Sequence, residues 1–125
     1  MKREPIFTDR ELDVMDILWE RRSGTVGEVQ EQLADELAYT TVLTVLRTLE
    51  EKGFVRHTSE GRAYRYHPDV DRATAQMSHL QYLVRKLFHG SFTRLVERVV
   101  ELPELNSEDV RQIRDRMEER LNGAD

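Results

Sequence analysis

A mainly α chain with a small β-hairpin is the fold this sequence predicts, and three features of its 125 residues carry that expectation. Between Thr40 and Leu49, Val42, Val45, Leu46 and Leu49 recur at i, i+3, i+4, i+7, one face of a helix. Lys52-Gly53-Phe54 then stops that helix and opens two short segments that alternate like strands. After Pro68 only helical periodicity remains, in three separate stretches.

In chain order, Thr8 is a candidate N-cap and Glu11 its capping-box partner at N3. Leu12, Val14, Met15, Ile17, Leu18 and Trp19 give the first helix a broad apolar face that ends near Glu20. Ser23-Gly24 breaks it, and Thr25 suits a short strand. Val26, Val29, Leu33 and Leu37, spaced i, i+3, i+7, i+11, predict a second helix. Ala38-Tyr39-Thr40 turns into the third, which Gly53 ends just after Lys52. Residues 54–58 and 62–67 are expected strands, joined by Ser59-Glu60-Gly61 and closed by Pro68. The order helix, short strand, helix, helix, strand, strand is that of a winged helix-turn-helix, assigned to residues 1–68.

Residues 69–125 form the second predicted domain. Ala73, Met77, Leu80, Val84 and Leu87 make one stripe, widened by Leu83 and Phe88, up to Gly90. Phe92, Leu95, Val96, Val99 and Val100 make a second, closed by Pro103. Ser107-Glu108-Asp109 begins a third, with Val110, Ile113, Met117 and Leu121. A winged helix of this size buries only ~60% of its unfolded surface, and three short helices in one layer cannot close a core. The stripes therefore need a cover. Packing against a second copy is the expectation, through Met77, Leu80, Val84, Leu87 and Phe88, then Phe92, Leu95, Val96 and Val99, then Ile113 and Met117. The alternative is a tail folded back on its own winged helix.

The absence of cysteine removes disulfides and thiolate metal sites. The start lacks a signal-like apolar run, and no window approaches the ~20 apolar residues of a membrane span, so a cytoplasmic protein is expected. A net charge of −5 argues against a general nucleic-acid coat. Its distribution is uneven. Residues 38–67 carry five basic side chains against three acidic ones, a net +2, whereas residues 1–37 carry −5 and residues 68–125 carry −2. An acidic remainder weakens non-specific attraction to phosphates and leaves more selectivity to base contacts.

The third helix holds the basic island's most unusual surface. Opposite its apolar face lie Thr40, Thr44 and Arg47, with Leu43 beside Arg47 and Thr41 on a flank. Threonine is a mediocre helix former, and solvated faces usually carry Glu, Lys and Gln. Short hydroxyls, one arginine and small apolar groups suit base edges in a DNA major groove: Arg forks onto guanine, and Thr or Leu methyls meet the thymine methyl. Arg62 at the hairpin tip is placed for backbone or minor groove. Arg65, alternating with Tyr64 and Tyr66, is included as a contact that either face of the hairpin could present. The tyrosines themselves read as wing and core packing, since duplex bases are not splayed out for stacking.

Four histidines raise the question of metal. His57 and His67 are placed to face one another across the hairpin, while His79 and His89, on one helix, lie roughly 15 Å apart by helical rise, too far to share an ion. Structural or exposed histidines are expected, and no metal or cofactor. No Gly-rich phosphate loop, nucleophile elbow or zinc-protease motif occurs, so no enzyme is expected.

The run Tyr39-Thr40-Thr41-Val42-Leu43-Thr44-Val45-Leu46-Arg47-Thr48-Leu49, with Lys52-Gly53-Phe54-Val55 and Gly61-Arg62-Ala63-Tyr64-Arg65-Tyr66-His67-Pro68, resembles the bacterial penicillinase-repressor family of the BlaI/MecI type. Glu11-Leu12-Asp13-Val14-Met15, Ile17-Leu18-Trp19, Phe92, Leu95-Val96 and Val100-Glu101 extend the likeness over about residues 6–122. It implies a homodimeric transcriptional repressor that binds a two-fold symmetric DNA operator and blocks transcription. It also implies a membrane sensor protease as a partner, but where resistance-controlling members carry a cleaved Asn-Phe bond this chain has Arg98-Val99. The Cys-x-Cys motifs of related copper-responsive repressors are absent. A winged helix that docks a protein instead of an operator is the competing expectation.

Overall fold

The structure, a computed structural model, describes residues 6–123. Its elements are α1 (Asp9–Arg21), β1 (Gly24–Thr25), α2 (Val26–Gln32), α3 (Tyr39–Glu51), β2 (Val55–Glu60), β3 (Ala63–Pro68), α4 (Arg72–Leu87), α5 (Phe92–Val99) and α6 (Ser107–Gly123). They gather into two compact units that divide between Tyr82 and Leu83, inside α4.

In the first unit the capping box forms at the start of α1. Thr8 Oγ1 accepts from the Glu11 amide at 3.2 Å, and Glu11 Oε1 accepts from the Thr8 amide at 2.8 Å. The helix ends on Arg22, which holds a left-handed φ of 77°, one residue before the expected Ser23-Gly24 break. Thr25 and Glu28 repeat the capping box on α2. That helix stops at Gln32, so Leu33 and Leu37 are not in it, contrary to the i+7 and i+11 spacing. Leu33 turns extended at ψ 137°, the Gln30 amide donates to the Leu37 carbonyl at 2.9 Å, and both leucines still pack on the core from the loop. Their spacing recorded burial, not helical backbone.

Val14, Met15, Leu18, Val29, Val42, Leu46, Leu49 and Tyr66 are the fully buried centre. Phe7 lies edge-on to Trp19 and Phe54, and Trp19 Nε1 donates to the Val70 carbonyl at 2.8 Å. The sheet runs β1-β3-β2, all antiparallel, with Val55 opposite Pro68 and Glu60 opposite Ala63. The connection is the two-residue Gly61-Arg62, not Ser59-Glu60-Gly61. Gly61 takes a φ of 61° there, the conformation a two-residue hairpin needs at its first turn position, and so β2 runs two residues further than expected while β3 is shifted by one residue towards Pro68. This register pairs His57 with Tyr66 and His67 with Arg56, which puts the two histidines on opposite faces of the hairpin. They do not face one another.

The second unit contains the end of α4 with α5 and α6. Val84 is its one buried apolar side chain among the described residues. Ser91 Oγ caps α5 by accepting from the Arg94 amide, and Asn106 and Asp109 cap the start of α6 reciprocally. His89 falls beyond the end of α4, in a left-handed φ of 51°, so it does not share a helix with His79.

Candidate nucleic-acid interface

The two faces of α3 separate as the periodicity implies. Val42, Leu46 and Leu49 are completely buried, while Thr40, Thr41, Thr44 and Arg47 are exposed. Leu43 is half-buried and packs against the edge of the core. Thr44 Oγ1 donates to the Thr40 carbonyl at 2.9 Å, which leaves its lone pairs and methyl directed outward. Among the described residues, neither Arg47 nor Arg62 is held in an ion pair. Arg62 occupies the turn between β2 and β3, exposed at the tip of the wing.

Arg65 is placed differently. Its guanidinium lies against Glu60 at 2.7 Å and Glu28 at 2.9 Å, and it donates to Ser23 Oγ at 3.2 Å. The Thr25 amide, Arg65 and Arg21 together hold the Glu28 carboxyl down to about 2.

Two further contacts fix how α3 is presented. Lys52, directly after α3, reaches back to both oxygens of Glu11 at 2.7 and 2.9 Å, tying the far end of α3 to the start of α1. Glu11 is only 4% exposed. Burial pushes its carboxyl upward, but the Lys52 ammonium and the Thr8 amide and hydroxyl more than offset this, so it lies below the ordinary carboxylate value. On the wing side, His57 Nδ1 meets Glu50 at 2.6 Å and its ring lies 4.3 Å from that of Tyr64. Tyr66 is core, as expected, and its hydroxyl is raised by burial and by Glu50, against the lowering effect of Arg47. Tyr64 remains 48% exposed.

The remaining histidines have structural contacts. His67 pairs with the Thr58 hydroxyl, and His79 Nε2 accepts from the Phe7 amide at 2.9 Å while stacking on the Phe7 ring. Among the described residues no group of three or more His, Asp or Glu side chains is placed to hold a metal ion. Glu11, Lys52 and Glu28 were not singled out as reader supports in the sequence. Both capping boxes are legible as T-x-x-E, but nothing in local spacing tells which distant cation a capping carboxylate will meet.

Three helices with a three-stranded sheet, the third helix exposing hydroxyls and a free guanidinium, define a winged-helix DNA-binding protein. A family profile described as penicillinase repressor matches residues 7–119. The penicillinase repressor of Bacillus licheniformis is 27% identical over 98% of this chain and 97% of its own length. The transcriptional regulator BlaI of Mycobacterium tuberculosis is 48% identical over 63 residues, 48% of this chain and 46% of its own. Among solved structures, the DNA-binding domain of the repressor BlaI is 34% identical and superposes at a TM-score of 0.53, covering 59% of this chain and 93% of that one. The Bacillus licheniformis BlaI monomer in complex with the blaP half-operator gives 0.50 with the same identity and coverage. A MarR family protein from Bacillus stearothermophilus, 16% identical, shares the fold alone, at 0.53 over 93% of this chain and 73% of its own. The chain belongs to the penicillinase repressor family. It is a DNA-binding transcriptional repressor and not an enzyme.

Proposed function

We propose that the protein is a homodimer that binds a two-fold symmetric operator, with Thr40, Thr41, Leu43, Thr44 and Arg47 against base edges and Arg62 against the backbone. The observation that carries this reading is the contrast within α3: an apolar face whose Val42, Leu46 and Leu49 are fully buried, behind an exposed one bearing hydroxyls and an unpaired arginine. Such a surface can fork onto guanine and meet thymine methyls. The Bacillus licheniformis BlaI monomer, solved in complex with the blaP half-operator, supports the same use of the domain on DNA.

The dyad follows from the tail, residues 69–125 in our division of the chain. Leu83, Leu87, Phe92, Val100, Leu102, Val110, Met117 and Leu121 are each between 41 and 75% exposed, while from Leu83 onward Val84 alone is buried among the described apolar residues. Leu95, Val96, Val99, Ile113 and Phe88 are half-buried and Met77 and Leu80 are exposed. A second copy supplies the missing cover, with Val84 holding the face from within. Two readers then enter major grooves about one turn apart or a multiple of it. No helix among the described residues is long and apolar enough to cross a membrane, and a cytoplasmic repressor fits that.

Gel retardation on the DNA upstream of the chain's own gene tests the reading. Retardation that disappears when one half of the dyad is scrambled is expected. Equal retardation of scrambled and intact DNA, or none at low salt with a protein partner co-purifying, would refute it.

A further inference from the structure

We propose that Arg65 is a positioning residue rather than a DNA contact: its guanidinium, gripped by Glu28 and Glu60, sets the angle at which the wing presents Arg62. This rests on the operator-binding reading above.

Arg65 lies in β3 opposite Thr25 of β1 and Thr58 of β2, the middle strand of the sheet. Nε donates to Glu60 Oε2 at 2.7 Å, Nη1 to Glu28 Oε1 at 2.9 Å and Ser23 Oγ at 3.2 Å, and Nη2 to Glu28 Oε2 at 3.4 Å. Most of the donor fork is thereby directed at protein acceptors, and the side chain is only 25% exposed. Glu28 is itself anchored. It accepts from the Thr25 amide at 3.0 Å as the capping-box residue of α2, and Arg21 approaches it at 3.2 Å. Glu60, at the other end of the fork, is the last residue of β2, next to the Gly61-Arg62 turn.

Arg65 thus joins the fixed start of α2 to the tip of the wing. A phosphate approaching it would compete with two carboxylates for the guanidinium, whereas Arg62, at the tip, has no such competitor. Only a planar fork can span both carboxylates in this way, so lysine is a poor replacement.

Glu28→Gln separates the two roles. Glutamine keeps the capping-box acceptor and removes the charge that holds Arg65. If Arg65 gripped phosphate, freeing it would strengthen DNA binding; if Arg65 positions the wing, freeing it weakens operator binding. Fluorescence anisotropy with the full chain on operator and random duplexes, across a salt series, reads the sign. We expect Glu28→Gln, Arg65→Gln and Arg65→Lys each to weaken operator binding roughly three- to thirtyfold. The Glu28→Gln, Arg65→Gln double variant should be no weaker than either single one, with the salt slope unchanged throughout. Amide exchange across residues 58–65, read without DNA, should speed up in the same variants. Tighter binding by Glu28→Gln, a salt slope shallower by about one per protomer in Arg65→Gln, or unchanged exchange would overturn the inference. Failure of the unsubstituted protein to retard its operator would instead sink the functional reading, and this inference with it.

Discussion

Arg47 and Arg62 leave their guanidinium groups in solvent, whereas Lys52 and Arg65 commit their charges to carboxylates of the same chain. Residue type alone does not separate these roles; the partner does. Arg62→Ala should weaken cognate and random duplexes alike and make the salt dependence shallower by about one, measured as log affinity against log salt. Glu28 contributes to stability with a definite pH dependence. Folding lowers its carboxyl from 4.5 to about 2, so the folded chain holds fewer protons than the unfolded chain between those values. Its contribution is therefore fully present above pH 4.5 and is lost as the pH falls toward 2. Thermal melts of Glu28→Gln across that range should lose less stability on acidification than those of the unsubstituted protein. Gly53 holds a φ of 84° with open space around the missing Cβ. Gly53→Ala should therefore destabilise by about 1–2 kcal/mol through backbone strain alone, measured by urea unfolding.

At the scale of elements, caps and apolar periodicity were legible and hydrogen-bond register was not. Thr8 with Glu11 announces the start of α1, and Thr8→Ala should cost ~1 kcal/mol in a thermal melt. Val42, Leu46 and Leu49 point inward as their spacing requires, which leaves the reading face where it was expected. The α2 boundary was missed because Leu33 and Leu37 are drawn to the core without needing a helix to get there. The hairpin turn was misplaced because Ser59 and Glu60 have turn-like composition, while Gly61 alone supplies the positive φ that fixes the register. Arg65 was ambiguous for a related reason: both faces of the hairpin carry polar residues, so alternation could not say which way it points. The carboxylate waiting at position 28 lies 37 residues away along the chain.

Over the whole molecule, the tail's stripes were legible as helices, and their cover was not, because a single chain cannot show its own partner. Phe92, 54% exposed on the first turn of α5, is a direct probe. Phe92→Asp should leave helicity intact yet convert a dimer to a monomer by analytical ultracentrifugation, and weaken operator binding with it. A Phe92→Asp protein that sediments as a dimer would rule out α5 as part of the pairing surface. The central claim concerns the exposed face of α3, and Arg47→Ala on paired operator and random duplexes tests it most directly. The account predicts a loss of ~1–3 kcal/mol on the operator with almost none on the random duplex. Equal losses on both would contradict base reading by that helix.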